Sequence, residues 1–96
     1  MTAPGQAERI GLPRLRPGVR VRRDRVGGGE VLLYPEGAVL LNETAAAVVM
    51  MIDGTRDADA IAAGLERRYR GVAREDVVAV LGWLAERRLI EVGVSP

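Results

Sequence analysis

Apolar and polar positions along this chain change period once, near Asn42. Upstream the pattern is short and strand-like. Val19 and Val21 alternate with Arg20 and Arg22, as in a strand with one buried face. Glu30 to Tyr34, EVLLY, reads as a second strand with an apolar centre, and Ala38 to Asn42, AVLLN, as a third. VGGGE (Val26 to Glu30) and PEG (Pro35 to Gly37) connect them, with Gly and Pro where tight turns use them. Three strands joined by short turns predict an antiparallel meander. Pro13 and Pro17 bracket an extended or turn-like approach to it, since proline restricts both itself and the residue before it.

Downstream, apolar residues recur every three or four positions. Asn42 suits an N-cap and Glu43 a first turn, where the helix dipole favours negative charge. A first helix then buries Ala45, Val48, Val49 and Ile52, with Asp53-Gly54 as its stop. Asp57 caps a second helix whose apolar face is Ala58, Ile61, Ala62, Leu65 and Tyr69, ended by Gly71. A third runs from about Ala73 to Arg88, and Leu89 to Val92 leaves as a short extended segment. The expected fold is α+β: a small winged-helix-like domain, a three-stranded antiparallel meander followed by three helices. Residues 1–12 are expected as a flexible tail, 13–92 as the domain and 93–96 as a C-terminal tail.

The third helix carries the functional question. On a wheel of 100° per residue, Val77, Val80, Leu81 and Leu84 form the expected core stripe. Val78, Gly82 and Ala85 form a second stripe beside it, and Ala79 and Trp83 lie on the other shoulder. Between Asp76 and Glu86 nothing is polar. A helix this apolar around its girth is buried on several sides or offers an apolar groove. Gly82 lowers helix stability by roughly 1 kcal/mol relative to Ala, and a helical Gly often permits close approach by another backbone. The third strand raises a matching question. AVLLN has no charge and no Pro, so as a sheet edge it is unprotected. Such an edge suits an extended peptide that adds as a further strand.

Chemistry narrows the choice. The 96 residues contain no His, Cys or Lys, and the single Ser is Ser95. The usual general base, thiolate nucleophile, Schiff-base amine and most transition-metal ligands are therefore missing. Asp53, Asp57 and Asp59 have the spacing of a hard-cation cluster, but a helix end and a helix start account for them. The Gly-rich VGGGE leads into a strand, whereas a phosphate cradle leads into a helix. Neither catalysis nor a cofactor or metal is expected. Seven Arg against two acids in residues 1–25 make a basic arm, and one Arg against seven acids in residues 26–66 makes an acidic middle. The net charge is only +1. No signal-peptide pattern and no run long enough to span a bilayer is present, and a cytoplasmic protein is expected.

LLYPEGAVLLNETAAAVVMMIDGTRDADAIAAGLERRY followed by EDVVAVLGWLAERRLIE resembles the PqqD family of pyrroloquinoline quinone (PQQ) biosynthesis. YPEG at Tyr34 to Gly37, LN at Leu41-Asn42, DG at Asp53-Gly54 and DV at Asp76-Val77 carry the resemblance. The aromatic near Arg23 and the Cys near Ile52 that many members have are absent. The resemblance implies a recognition element for ribosomally made, modified peptides. Such a protein is a non-catalytic chaperone that binds the PQQ precursor peptide and presents it to a radical S-adenosylmethionine enzyme, which cross-links a Glu and a Tyr. It further implies that the peptide pairs with Ala38, Val39, Leu40, Leu41 and Asn42. Val77, Val78, Leu81, Gly82 and Ala85 would line the groove, and Arg74, Arg87 and Arg88 would meet acidic residues.

Three other readings compete. A different modified peptide is one. A winged-helix DNA binder is another, but its recognition helix should present Arg, Asn or Gln to the major groove, and a pI near 8.3 is modest for such a domain. Nucleic acid is therefore not the expected partner. The same bare edge also suits self-association, so the chain is expected as monomer or homodimer.

Overall fold

The strand pattern between Val19 and Leu41 closes as a meander, and a separate pair of strands joins the two ends of the domain. The computed structural model describes residues 11–23, 27–69 and 71–93. These form β1 (Leu12–Leu15), β2 (Arg20–Arg23), β3 (Glu30–Tyr34), β4 (Gly37–Leu41), α1 (Glu43–Met50), α2 (Ala58–Glu66), α3 (Arg74–Glu86) and β5 (Ile90–Gly93). β2, β3 and β4 make one antiparallel sheet in that order, with Leu32 opposite Val39 and Tyr34 opposite Gly37. β1 and β5 make a second antiparallel sheet, with Leu12 opposite Gly93 and Leu15 opposite Ile90.

β1 is the element that the hydrophobic pattern gives only as an extended or turn-like approach, not as a strand. Four residues with one Pro and one Arg show no alternation, and their partner lies at the far end of the chain. The pairing with β5 makes them a strand. The carbonyl of buried Pro13 also accepts the Gly54 N–H at 3.1 Å. Gly54, at φ +84, therefore holds β1 against the loop after α1. The helix itself stops earlier, at Met50, with Met51 as its C-cap.

The helix starts follow from their caps. The Asn42 side chain accepts from Ala45 N at 2.7 Å and Asp57 from Ala60 N at 2.8 Å. α3 has at its N-cap Ala73, which has no side-chain acceptor, and Asp76 reaches back to accept the Ala73 N–H at 2.9 Å. At the other end Leu89 N donates to Leu84 O and Arg88 N to Ala85 O. This is a Schellman closure with Arg88 in the left-handed position, at φ +59, where Gly is usual.

The core lies between the inner face of the meander and the helices. Leu32 and Leu41 meet Val48 and Val49 of α1, Ile61 and Leu65 of α2, and Val77 and Leu84 of α3. Leu89 and Ile90 seal it beneath β5. Of the apolar face expected for the second helix, Ala58, Ile61, Ala62 and Leu65 are buried, whereas Tyr69 lies past the helix end and is exposed. Among the described residues no polar or charged side chain is buried. Leu12 and Gly93, expected in the tails of residues 1–12 and 93–96, pair with each other in β1 and β5; the rest of the tails at 1–10 and 94–96, residues 24–26 and residue 70 lie outside the described residues.

Candidate functional site

The two edges of the meander differ. β2 presents Arg20, Arg22 and Arg23 in four residues, which protects that edge. β4 is GAVLL and has no strand on its outer side among the described residues. In an antiparallel strand every second residue turns its N–H and C=O away from its partner. The outer side of β4 therefore offers backbone groups to an added strand. Leu40 is 66% exposed, while Leu41 is 6% exposed and belongs to the core.

A groove of about 270 Å³ runs beside this edge, lined by Leu40 to Asn42 together with Ala45, Ala79, Val80 and Trp83. α3 lies along it in the opposite sense to β4. Ala79 and Val80 stand beside the Asn42 end, and Arg87 and Arg88 lie with Tyr34 to Glu36 at the other. Asp76, Ala79, Val80, Trp83 and Arg87 share one flank of α3, at the spacing of successive helical turns. The Arg87 guanidinium sits 4.8 Å from the centroid of the Trp83 ring, a cation–π contact that fixes the indole at the groove wall.

The structure divides the residues that the sequence grouped as one site. Ala38 to Asn42 are on or next to the β4 edge as expected. Val77 is 0% exposed and serves the core, not a groove. Val78, Leu81, Gly82 and Ala85 face the other way. With Gly11, Pro13, Ala58, Ile90 and Val92 they line a separate apolar hollow of about 160 Å³ against the second sheet. The physical reason is angular. Val77 and Leu84 point into the core, and at 100° per residue the Trp83 and Gly82 flanks lie about 180° apart on either side of them. Only one flank can border β4, and the position of β5 assigns the Gly82 flank to the second sheet. Arg74 is also away from the groove, paired with Asp59 of α2. Arg87 stacks on Trp83 of the groove wall, and both Arg87 and Arg88 line a separate cleft with Tyr34 to Glu36.

Sequence reasoning therefore missed Ala79, Val80 and Trp83 as groove residues. The available signal was Trp83, the only Trp, on the shoulder of an otherwise aliphatic helix. The three Asp residues are used locally. Asp53 accepts from the Thr55 hydroxyl and N–H, Asp57 caps α2, and Asp59 holds Arg74. The Thr55 hydrogen bonds, first the hydroxyl and then the amide, hold the Asp53 carboxyl below the ordinary Asp range, with Arg56 adding to them. Among the described residues no group of acids is arranged to hold a metal, and no helix is long and apolar enough to cross a membrane.

Known proteins are similar to this chain in sequence and fold. The family profile described as "Coenzyme PQQ synthesis protein D (PqqD)" matches residues 29–90. A protein of Stutzerimonas stutzeri named "PqqA binding protein" is 46% identical over 83 residues, covering 83% of this chain and 89% of its own. A protein of the same name from Klebsiella pneumoniae is 36% identical over 85 residues, covering 86% and 92%. The solution NMR structure of the PqqD part of Methylobacterium extorquens PqqCD is described as a functional, stand-alone recognition element for ribosomally synthesized and post-translationally modified peptides. It superposes with a TM-score of 0.69 at 31% identity, covering 95% of both chains. Fold, profile and relatives agree, and the chain belongs to the PqqD family.

Proposed function

We propose that this protein is a non-catalytic peptide chaperone that takes up the PQQ precursor peptide, PqqA, as an added strand on β4. The bare β4 edge beside an apolar groove carries this reading, because backbone pairing supplies affinity and the groove selects side chains. In the groove Ala79, Val80 and Trp83 replace the Gly82 stripe as the receiving surface. The relatives named for PqqA binding support the identity of the peptide. The family further suggests that the bound peptide is handed to a radical S-adenosylmethionine enzyme for cross-linking of a Glu and a Tyr.

An amide NMR titration with synthetic PqqA tests the site. Shifts at Ala38 to Asn42 and at Ala79, Val80 and Trp83 are expected. Shifts confined to Val78, Gly82, Ala85 and Val92 would move the site to the second sheet. Ala79→Leu, which adds bulk to the groove lining, is expected to weaken binding at least tenfold in a folded protein. Sedimentation of the free protein distinguishes monomer from a homodimer joined through β4, which peptide would dissociate.

A further inference from the structure

The meander has a second face. Its inner side turns Val21, Leu32, Val39 and Leu41 toward the helices. Successive side chains of a strand point to opposite sides, so Arg20, Arg22, Val31, Leu33, Ala38 and Leu40 form the outer side. The register sets them in two rows across the sheet: Arg22, Val31 and Leu40 in one, Arg20, Leu33 and Ala38 in the other. Each row runs from a guanidinium at the protected edge to an apolar residue at the bare edge. Val31 and Leu33 are half-buried yet lie outside the core cluster, and Ala38 and Leu40 are exposed. Among the described residues no helix or strand packs on this side: the helices hold the inner one, and β1 and β5 pair with each other. Within β2, β3 and β4 the one acid, Glu30, has the parity of the inner side and is paired with Arg23. Neither Arg20 nor Arg22 has an acid within ion-pair distance among the described residues. Charge therefore favours a partner surface that is apolar at its centre and carries Asp or Glu at its rim.

Size and charge separate the occupants. Three strands about 4.8 Å apart and five residues long present roughly 250 Å², against roughly 800 Å² per partner in a stable complex. Two copies face to face would bury too little for a stable dimer and would set Arg against Arg. Two arginines are also few for an anionic membrane, where clusters of about four to eight are usual. A strand captured on β4 enlarges this same face by a fourth strand. A protein seated there touches the chaperone and its peptide together. That suits an enzyme that must find the loaded chaperone and then let it go, since transient complexes form on small faces.

We propose that the outer face of the meander is the docking surface for the enzyme that acts on the captured peptide, which meets it with an apolar patch rimmed by Asp and Glu. Arg20 and Arg22 steer the approach, and Val31, Leu33 and Leu40 make the apolar contact. This rests on β4 as the edge that receives the peptide, and it couples the two bindings. Peptide raises the affinity for the enzyme, and the enzyme raises the affinity for peptide by the same factor.

The test uses isotope-labelled protein, synthetic PqqA and the radical S-adenosylmethionine enzyme of the PQQ pathway. Added enzyme is expected to broaden the amide signals of Arg20 to Arg22 and Val31 to Leu33, and bound PqqA to raise the enzyme affinity roughly threefold or more. Arg20→Glu combined with Arg22→Glu should weaken enzyme binding roughly tenfold or more, most steeply at low salt. Val31→Thr, which keeps a strand-favouring shape, should weaken it roughly fivefold. Both variants should keep a folded amide spectrum and an unchanged PqqA affinity. Unchanged enzyme binding in both variants overturns the docking face and leaves β4 as the peptide edge. Broadening at Val78 and Val92 instead places the enzyme on the second sheet and also overturns it. So does an enzyme affinity that falls when PqqA binds. Broadening of Val31 and Leu33 by raised concentration of the protein alone, or by phosphatidylglycerol vesicles, names a second copy or a membrane as the occupant and overturns the enzyme. Absence of PqqA shifts at Ala38 to Asn42 sinks the β4 reading and the docking face together, an outcome distinct from the others, in which those shifts persist.

Discussion

Replacing Gly82 with Ala separates the two flanks of α3. Gly82 sits in the interior of a 13-residue helix. A Cβ built on it meets no other group within 4 Å, and the position is exposed. The substitution therefore adds no clash and fills no space that peptide needs in the β4 groove. What remains is the backbone: Gly in a helix interior is about 1 kcal/mol worse than Ala, chiefly because the unfolded chain gives up more freedom. For a domain of roughly 80 ordered residues, an unfolding entropy of about 2.1 cal/mol/K per residue gives about 0.17 kcal/mol/K, so the gain corresponds to roughly 6 °C in Tm. Thermal unfolding followed by circular dichroism measures it, and a PqqA titration of the same protein measures binding. Higher Tm with unchanged affinity is expected, and the bulkier Gly82→Leu should also leave affinity unchanged. A tenfold loss of affinity would show that the Gly82 flank receives the peptide and that the groove lined by Trp83 does not. A lower Tm would show that the helix relies on a close approach at Gly82 that the geometry does not contain.

Three further outcomes follow from the packing and the caps. Leu84→Ala, at a side chain with 0% exposure, should cost about 3 kcal/mol, a large part of the stability of so small a domain. Urea unfolding would show the midpoint falling sharply, and a shift under 0.5 M would contradict Leu84 as a core residue. Asn42→Ala removes the acceptor for Ala45 N and should cost about 1 kcal/mol, which thermal unfolding reads directly. Asp53 has its folded pKa lowered, so its contribution is present above the ordinary Asp range and is lost as pH falls through the lowered value. Asp53→Asn should therefore flatten the acid limb of the stability curve and leave its slope above pH 6 unchanged; identical acid limbs would contradict the Thr55 hydrogen bonds.

The local pattern was legible wherever neighbouring residues decide the outcome. Alternation at Val19 to Val21, the PEG turn, and the caps at Asn42 and Asp57 each depend on contacts within a few residues, and the structure places them as expected. The bare β4 edge was legible too, since an edge without charge or Pro is a property of five consecutive residues. Two of the family motifs, YPEG and LN, lie in these same segments.

Other features depended on groups far apart in sequence. β1 carries no strand pattern of its own, and it becomes a strand because β5 returns beside it and Gly54 bonds to Pro13. That return also decides which flank of α3 is open. A helical wheel shows two apolar shoulders on either side of Val77 and Leu84 but contains nothing to say which one borders β4. Placing β5 and Ala58 against Val78 and Gly82 leaves Ala79, Val80 and Trp83 to the groove. The meeting of Arg16 with Arg87 and Arg88 has the same origin, because the pairing of the first strand with the last brings the two ends of the domain together. The sequence by itself determined the meander, the three helices, the bare character of the β4 edge and the family. Only the tertiary structure decided which side of the third helix borders the bare strand, because side-chain direction around a helix has meaning only relative to what packs against it.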